Sequence, residues 1–341
     1  MKLAVLGTGK IVKEALFALQ FVPNVAVTAI YARPHSAEIG AVLAAQYGIP
    51  AVFTDYTHLL QECDADAVYV GLVNNVHSQY ARDALLAGKH VILEKPFTGF
   101  YTEALELQAL SQRLGLFCLE AITVLHGGVL EEMRRSISNI GTPRMLLANF
   151  SQYSSRYDDY LAGNIAPAFD LQCYGGALFD LNVYNLHYCI ALFGMPEQVK
   201  YYPNIGPNGA DTSGTLVLAY PGFSAVCTAA KDSDSPCFLQ VQGERGWMRM
   251  DGKPNVPQKL LVTVSDPGGD SVRDAAGAVV RADRQREYFA PAAGHRMAPE
   301  FTEFARIIDT HDSASADRLL SHSVAVMRVL EKARLSAGIE F

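Results

Sequence analysis

The sequence predicts an α/β chain of two domains, and three observations predict it. An apolar run over residues 2–6 (KLAVL) meets a glycine turn and then an amphipathic stretch. β-favouring and helical runs alternate from there to about residue 122, the pattern of a parallel sheet with helices on its faces. From about residue 197 strand-like runs follow one another with turn residues between them, which predicts an α+β domain with a large, mostly antiparallel open sheet. At 341 residues the chain exceeds the usual single core. The boundary is placed where the pattern changes, giving 1–122 as a dinucleotide-binding domain and 123–341 as a substrate-binding and oligomerisation domain. The closing helices of the second domain are free to pack back on the first.

The first strand, 2–6, runs into Gly7-Thr8-Gly9-Lys10-Ile11 and a helix over about 12–21. Strand, glycine turn and helix form the context in which a Gly-x-Gly pattern carries meaning. Gly7 permits the tight turn, and Gly9 lets the backbone approach a pyrophosphate resting on the helix N-terminus. The third glycine of the full fingerprint is replaced by Val12. A second strand (25–30) ends at Tyr31-Ala32-Arg33-Pro34-His35-Ser36. An acid at this place would bind the ribose 2'-hydroxyl of NAD; none is present. Ala32, Arg33 and His35 are therefore assigned to the cofactor, with Arg33 facing a 2'-phosphate. NADP is favoured over NAD, which stays possible; the plainer reading is that Arg33 only caps the turn.

A helix (36–47), a short strand (51–53) and a strand over 67–72 follow, and Val73-Asn74-Asn75-Val76-His77 opens a helix to about Leu86. A loop with amides and a histidine at the ligand-binding edge of the sheet can hold the nicotinamide ribose, so Val73, Asn74 and His77 join the cofactor set. Asparagine is equally a favoured helix cap.

The stretch from His90 to Phe97 is an apolar strand that stops at Glu94, Lys95 and Pro96. Proline offers no N–H to a sheet ladder, so the strand ends there. Lys95 thus stands at the carboxyl edge, where ligands bind in open α/β sheets. Glu94 beside it is read as a cofactor contact or as support for Lys95. A helix (100–113) and a strand (117–121) complete the alternation.

In the second domain a helix over about 127–138 leads to the strand-like run 145–150, and further strands are placed at 212–220, 223–230, 238–242, 247–250 and 259–264. Residues 266–283 read as a loop, and two helices (297–310 and 313–337) close the chain. The helix spanning Gly175 to Gly194 is apolar almost all round and must be buried. Asp180, Tyr184 and His187 fall at i, i+4 and i+7, on one stripe. Buried polar groups need partners, so the stripe marks either a polar cavity or an internal network that orients the helix.

A formal charge of −7 gives nucleic-acid backbones nothing to attract and argues against that partner. The six cysteines are scattered, without a C-x-x-C pair or metal-ligand spacing, so no metal is expected and the thiols read as reduced. No run approaches a membrane span. A cytoplasmic protein is the expectation.

Taken in order, Gly7-x-Gly9, Asn74 and His77, Glu94-Lys95-Pro96, and Gly175-Gly176-Ala177-Leu178 with Asp180 and Tyr184 resemble the motifs of the glucose-fructose oxidoreductase, inositol dehydrogenase and rhizopine-catabolism (Gfo/Idh/MocA) family. The resemblance spans both domains. It implies a Rossmann dinucleotide-binding domain joined to a C-terminal α+β domain. The implied activity is hydride transfer between a nicotinamide cofactor, NADP(H) on the reading of Arg33, and a carbinol or carbonyl of a sugar, polyol or trans-diol. It further implies that Lys95 and Tyr184 are the catalytic pair with Asp180 in support; His187 is weighted below them as a substrate contact or alternative acid-base. Many members carry histidine where Tyr184 stands, and tyrosine resembles the branch with glucose-fructose oxidoreductase and dimeric dihydrodiol dehydrogenase. Glu120-Ala121 resembles the latter too, whereas Thr123-Val124-Leu125-His126 departs from its aromatic and arginine pattern. An ammonium beside Tyr184 is expected to lower its pKa towards use as a base. A homodimer or homotetramer through the C-terminal sheet is expected. Two other readings stay open: a non-redox glycosidase using bound NAD transiently, and an inert NAD(P)-binding sensor.

Overall fold

A computed structural model describes residues 1–341 except 267, 270 and 281. The first half contains strands β1 (Lys2–Leu6), β2 (Ala26–Tyr31), β3 (Ala51–Phe53), β4 (Ala67–Val70), β5 (His90–Glu94) and β6 (Cys118–Ala121). Helices α1 (Lys10–Leu19), α2 (Ala37–Tyr47), α3 (Tyr56–Glu62), α4 (His77–Leu86) and α5 (Tyr101–Leu114) connect them. The sheet order is β3-β2-β1-β4-β5-β6, parallel throughout. The order reverses beside β1, which opens a crevice between the carboxyl ends of β1 and β4, the place where such sheets bind ligands. β4 is buried along its whole length and β5 from Val91 onward, because helices cover both faces.

The second half carries α6 (Gly128–Ser136), β7 (Pro143–Ser151), α7 (Tyr157–Leu161) and α8 (Val183–Phe193), then β8 (Gln198–Ile205), β9 (Asp211–Tyr220), β10 (Phe223–Ala230), β11 (Phe238–Gly243), β12 (Gly246–Asp251) and β13 (Lys259–Ser265). A small hairpin, β14 (Val272–Arg273) with β15 (Val279–Val280), precedes β16 (Asp283–Phe289), α9 (Ala298–Asp309) and α10 (Ser313–Ser336). The eight-stranded sheet runs β16-β13-β12-β11-β7-β10-β9-β8. It is antiparallel except where β7 and β10 pair in parallel. Alternate residues such as Leu216, Leu218, Ala225, Cys227, Leu239, Val241, Met248 and Met250 are buried, one face under α8 and α10.

Three sequence expectations change. The 266–283 stretch holds the β14–β15 hairpin among its described residues; positions 267, 270 and 281 of that expectation lie outside them. The helix expected from Gly175 begins instead as a π turn over Leu178–Asn182 before α8. β8 and β16 were not expected as separate strands: both are edge strands and mostly exposed, β8 interrupted in composition by Pro203, so they lack a strong apolar alternation. The closing helices do pack against the first sheet. Phe301 and Phe304 of α9 share a core with Val5, Ile30 and Leu16, and the Phe301 ring meets Tyr69 edge-on at 5.5 Å.

Candidate active site

The crevice is a cleft of about 680 Å³ lined from both halves of the chain. On the first sheet's side its wall is the turn after β1. Gly7 has φ +111, and a Cβ there would come within 2.7 Å of the Gly71 carbonyl oxygen, so the turn admits no side chain. A Cβ on Gly9 would meet nothing within 4 Å and would project into the cleft. Gly9 is also the N-cap of α1 and makes no side-chain cap bond, leaving N–H groups of the first helical turn free for an anion. Thr8, Lys10 and Ile11 line the same wall. This open, N–H-rich cradle fits a dinucleotide pyrophosphate.

Arg33, His35 and Ser36 line the far end, after β2. Ser36 Oγ donates to the Arg33 carbonyl at 3.1 Å and fixes the short 3-10 turn Pro34–Ser36. The stretch that follows β2 here, Ala32 to Ser36, carries no carboxylate, so the donor set fits a 2'-phosphate. Val73 and Asn74 line the middle, and the Asn75 side-chain amide donates to the Gln172 carbonyl across the cleft at 2.9 Å.

Lys95 stands where β5 ends. Its ammonium donates to Asp180 Oδ1 at 2.9 Å and to the Asp180 carbonyl at 3.1 Å. It also lies 5.1 Å from the centre of the Tyr184 ring. Tyr184 is 6 % exposed and rests edge-on against Phe150. Burial works against the Lys95 charge, but Asp180 and Tyr184 outweigh it and hold its pKa above the ordinary lysine value. Burial likewise opposes the Asp180 carboxylate, yet Lys231 and Lys95 together hold it well below the usual carboxylate range. Glu94 lines the cleft and accepts from the Tyr69 hydroxyl at 2.6 Å. Burial raises its pKa against the pull of Tyr69 and Lys95.

The expectation for Tyr184 is reversed in sign. Burial raises the phenol's pKa more than Lys95 and Arg296 lower it, so the side chain stays protonated well above neutral pH. Three expected site residues lie elsewhere. Ala32 is fully buried and its N–H donates to the Phe53 carbonyl; it packs the sheet and does not line the cleft. His77 is also fully buried, its ring bridging the Pro96 and Leu72 carbonyls at 3.0 and 3.1 Å. It ties the two loops that flank the cleft without facing it. His187 points into the interior, 3.0 Å from His322 and 3.6 Å from Glu120. Tyr184 and His187 stand three residues apart within α8, and that rotation carries His187 away from the cleft that Tyr184 lines.

Two residues escaped the sequence reading. Arg296 lines the cleft, is ion-paired with Glu14 of α1, and acts on the charge of Tyr184. It precedes α9 in a segment with no motif. Lys231 reaches Asp180 from behind, Nζ to Oδ2 2.8 Å.

Comparison with known proteins agrees with this fold. Residues 1–121 match a model described as the oxidoreductase family with an NAD-binding Rossmann fold, of the Gfo/Idh/MocA type. Residues 131–249 match the Gfo/Idh/MocA C-terminal domain. The scyllo-inositol 2-dehydrogenase (NADP(+)) of Bacillus subtilis is 29% identical over 341 residues, covering 100% of this chain and 98% of that protein. The trans-1,2-dihydrobenzene-1,2-diol dehydrogenase of Xenopus tropicalis is 27% identical over 76% of this chain and 78% of its own. Among solved structures, KijD10, a 3-ketoreductase from Actinomadura kijaniata in complex with NADP and TDP-benzene, superposes with a TM-score of 0.80 at 22% identity, covering 99% of this chain and 98% of that one. With two models of one family laid end to end over both halves, and dehydrogenases and reductases as its relatives, the chain belongs to the Gfo/Idh/MocA family of NAD(P)-dependent oxidoreductases.

Proposed function

We propose that this enzyme transfers a hydride between NADP(H) and a carbinol or carbonyl of a sugar, polyol or trans-diol, with Tyr184 as acid-base and Lys95 as its charged partner. The observation that carries it is the convergence of Lys95, Asp180 and Tyr184 on the same cleft as the Gly7–Gly9 turn and Arg33. The relatives named for scyllo-inositol and for a trans-dihydrodiol support the substrate class.

Gly7, Thr8, Gly9, Lys10, Arg33 and Asn74 line the part of the cleft that would hold the cofactor, which when bound would supply the hydride acceptor or donor. The protein's task is then the proton. In reduction, protonated Tyr184 gives its phenolic hydrogen to the carbonyl oxygen as that oxygen gains negative charge, and Lys95 stabilises the charge. In oxidation Tyr184 must first ionise, so the raised pKa makes that direction quicken as pH rises.

Incubating the protein with scyllo-inositol, D-xylose or a trans-dihydrodiol and either NADP or NAD tests this reading through the absorbance of reduced nicotinamide. Absorbance should grow with NADP and at least one of them; tight NADPH binding with no net reduction across the panel would sink it. Arg33→Ala should weaken NADPH by roughly tenfold to a hundredfold, the value of a charge-assisted contact, and leave NADH nearly unchanged. Equal losses, read by fluorescence titration, would remove Arg33 from the 2'-phosphate.

For assembly we propose a homodimer or homotetramer through the outer face of the large sheet. Met145, Leu147, Val217, Val226 and Trp247 lie together there, half-buried or exposed. Sedimentation at a monomer's mass would reject it.

A further inference from the structure

Lys231 follows the last residue of β10, where β7 and β10 end side by side. Its backbone joins two segments: its N–H donates to the Thr212 carbonyl and its carbonyl accepts from Ser154, both at 2.8 Å. The side chain is 3 % exposed. Its ammonium donates to Asp180 Oδ2 at 2.8 Å and to the Ala168 carbonyl, and stands 4.3 Å from the centre of the Phe169 ring. Ser154, Ser155, Pro167, Ala168 and Asp180 all line the cleft, so one buried lysine fastens three parts of its wall.

A buried charge used only for packing is a poor choice, because an apolar side chain of similar volume is often as stable or more so. Here two ammonium groups share one carboxylate, Lys95 on Oδ1 and Lys231 on Oδ2. The trio keeps one positive charge in excess beside Tyr184. We propose that Lys231 is a positioning residue of the reaction: by occupying Asp180 Oδ2 it turns Oδ1 towards Lys95, fixes where the Lys95 ammonium stands, and leaves the trio net positive at the developing oxyanion. This rests on the assignment of Lys95 and Tyr184 made above. Of the two cations that keep Asp180 ionised against burial, Lys231 contributes the larger pull.

The test compares Lys231→Gln, which keeps an N–H donor but not the charge, with Lys231→Met and Lys231→Arg. With NADP and whichever of scyllo-inositol, D-xylose or trans-dihydrodiol turns over, kcat should fall roughly tenfold to a hundredfold in the Gln and Met variants, with NADPH affinity unchanged. A carboxyl whose pKa is depressed in the fold contributes stability that is lost as pH falls through its folded value. Losing Lys231 lifts that value, so the acid limb of kcat/KM should move to higher pH in Lys231→Gln and return towards wild type in Lys231→Arg. Thermal midpoints across acid pH for wild type, Asp180→Asn, Lys231→Gln and the double variant read the same coupling without substrate. Additive midpoints would overturn the inference even if no compound in the panel reacts. So would wild-type kcat in Lys231→Gln, or a loss of kcat matched by loss of NADPH binding with no movement of the acid limb. If Lys231→Met does not fold, the Gln variant decides alone.

Discussion

Tyr184→Phe should lower turnover by about 10² to 10⁴-fold, the range for losing a positioned general acid-base, while NADPH binding and the thermal midpoint stay near wild type. The expectation follows from what the substitution removes. The ring is packed against Phe150 and is almost wholly buried, so phenylalanine fills the same space and only the proton-carrying oxygen is lost. The direction of the Tyr184 pKa adds a second readout. Because burial holds the phenol protonated, carbonyl reduction by the wild type should be flat through neutral pH and decline only when the tyrosine ionises. Alcohol oxidation should climb over the alkaline range. Both dependences should vanish in Tyr184→Phe, leaving a slow, pH-insensitive residue. A variant with wild-type turnover would take Tyr184 out of the mechanism and return attention to water or to Lys95 as the proton source.

Much of this arrangement is legible in the chain, for reasons that differ by residue. Gly7 and Gly9 announce themselves because a backbone turn beside a phosphate tolerates little else. Lys95 does so because a proline closes the strand and fixes the residue before it at the sheet edge. Helical spacing put Asp180, Tyr184 and His187 on one stripe and left its meaning open; the family resemblance singled out Tyr184 and Asp180, and His187 faces the interior. A π turn over Leu178–Asn182 also replaces the expected start of that helix, and no residue in that segment signals it. Lys231 and Arg296 were invisible for another reason. Each sits just outside a regular element with no local pattern. Lys231, just past the end of β10, meets Asp180, 51 residues earlier in the π turn, a contact of topology and not of local sequence. The sign of the Tyr184 shift was misread because it depends on burial against nearby charge, and burial is a property of the assembled site.

Lys95→Met should lower kcat by about 10² to 10³-fold if the lysine stabilises the developing oxyanion, and two further outcomes are expected. First, the fold should survive. Removing one partner of a buried pair is usually severe because the other charge is left alone, but Asp180 keeps Lys231 on its second oxygen. A protein that unfolds on this substitution would mean that Lys231 cannot carry the carboxylate unaided. Second, the pH dependence should move and not disappear. Lys95 lowers the Tyr184 pKa against burial, so without it the tyrosine ionises later and the rise of the oxidation rate should shift to more alkaline pH. Lys95→Arg keeps the charge, but a planar, forked guanidinium cannot take both the Asp180 carboxylate oxygen and its backbone carbonyl from the ammonium's position. It should therefore recover the pH at which the rate rises better than it recovers the rate itself. Full recovery of kcat in Lys95→Arg would show that the charge alone matters; an unshifted alkaline rise in Lys95→Met would separate Lys95 from Tyr184 and break the proposed pair.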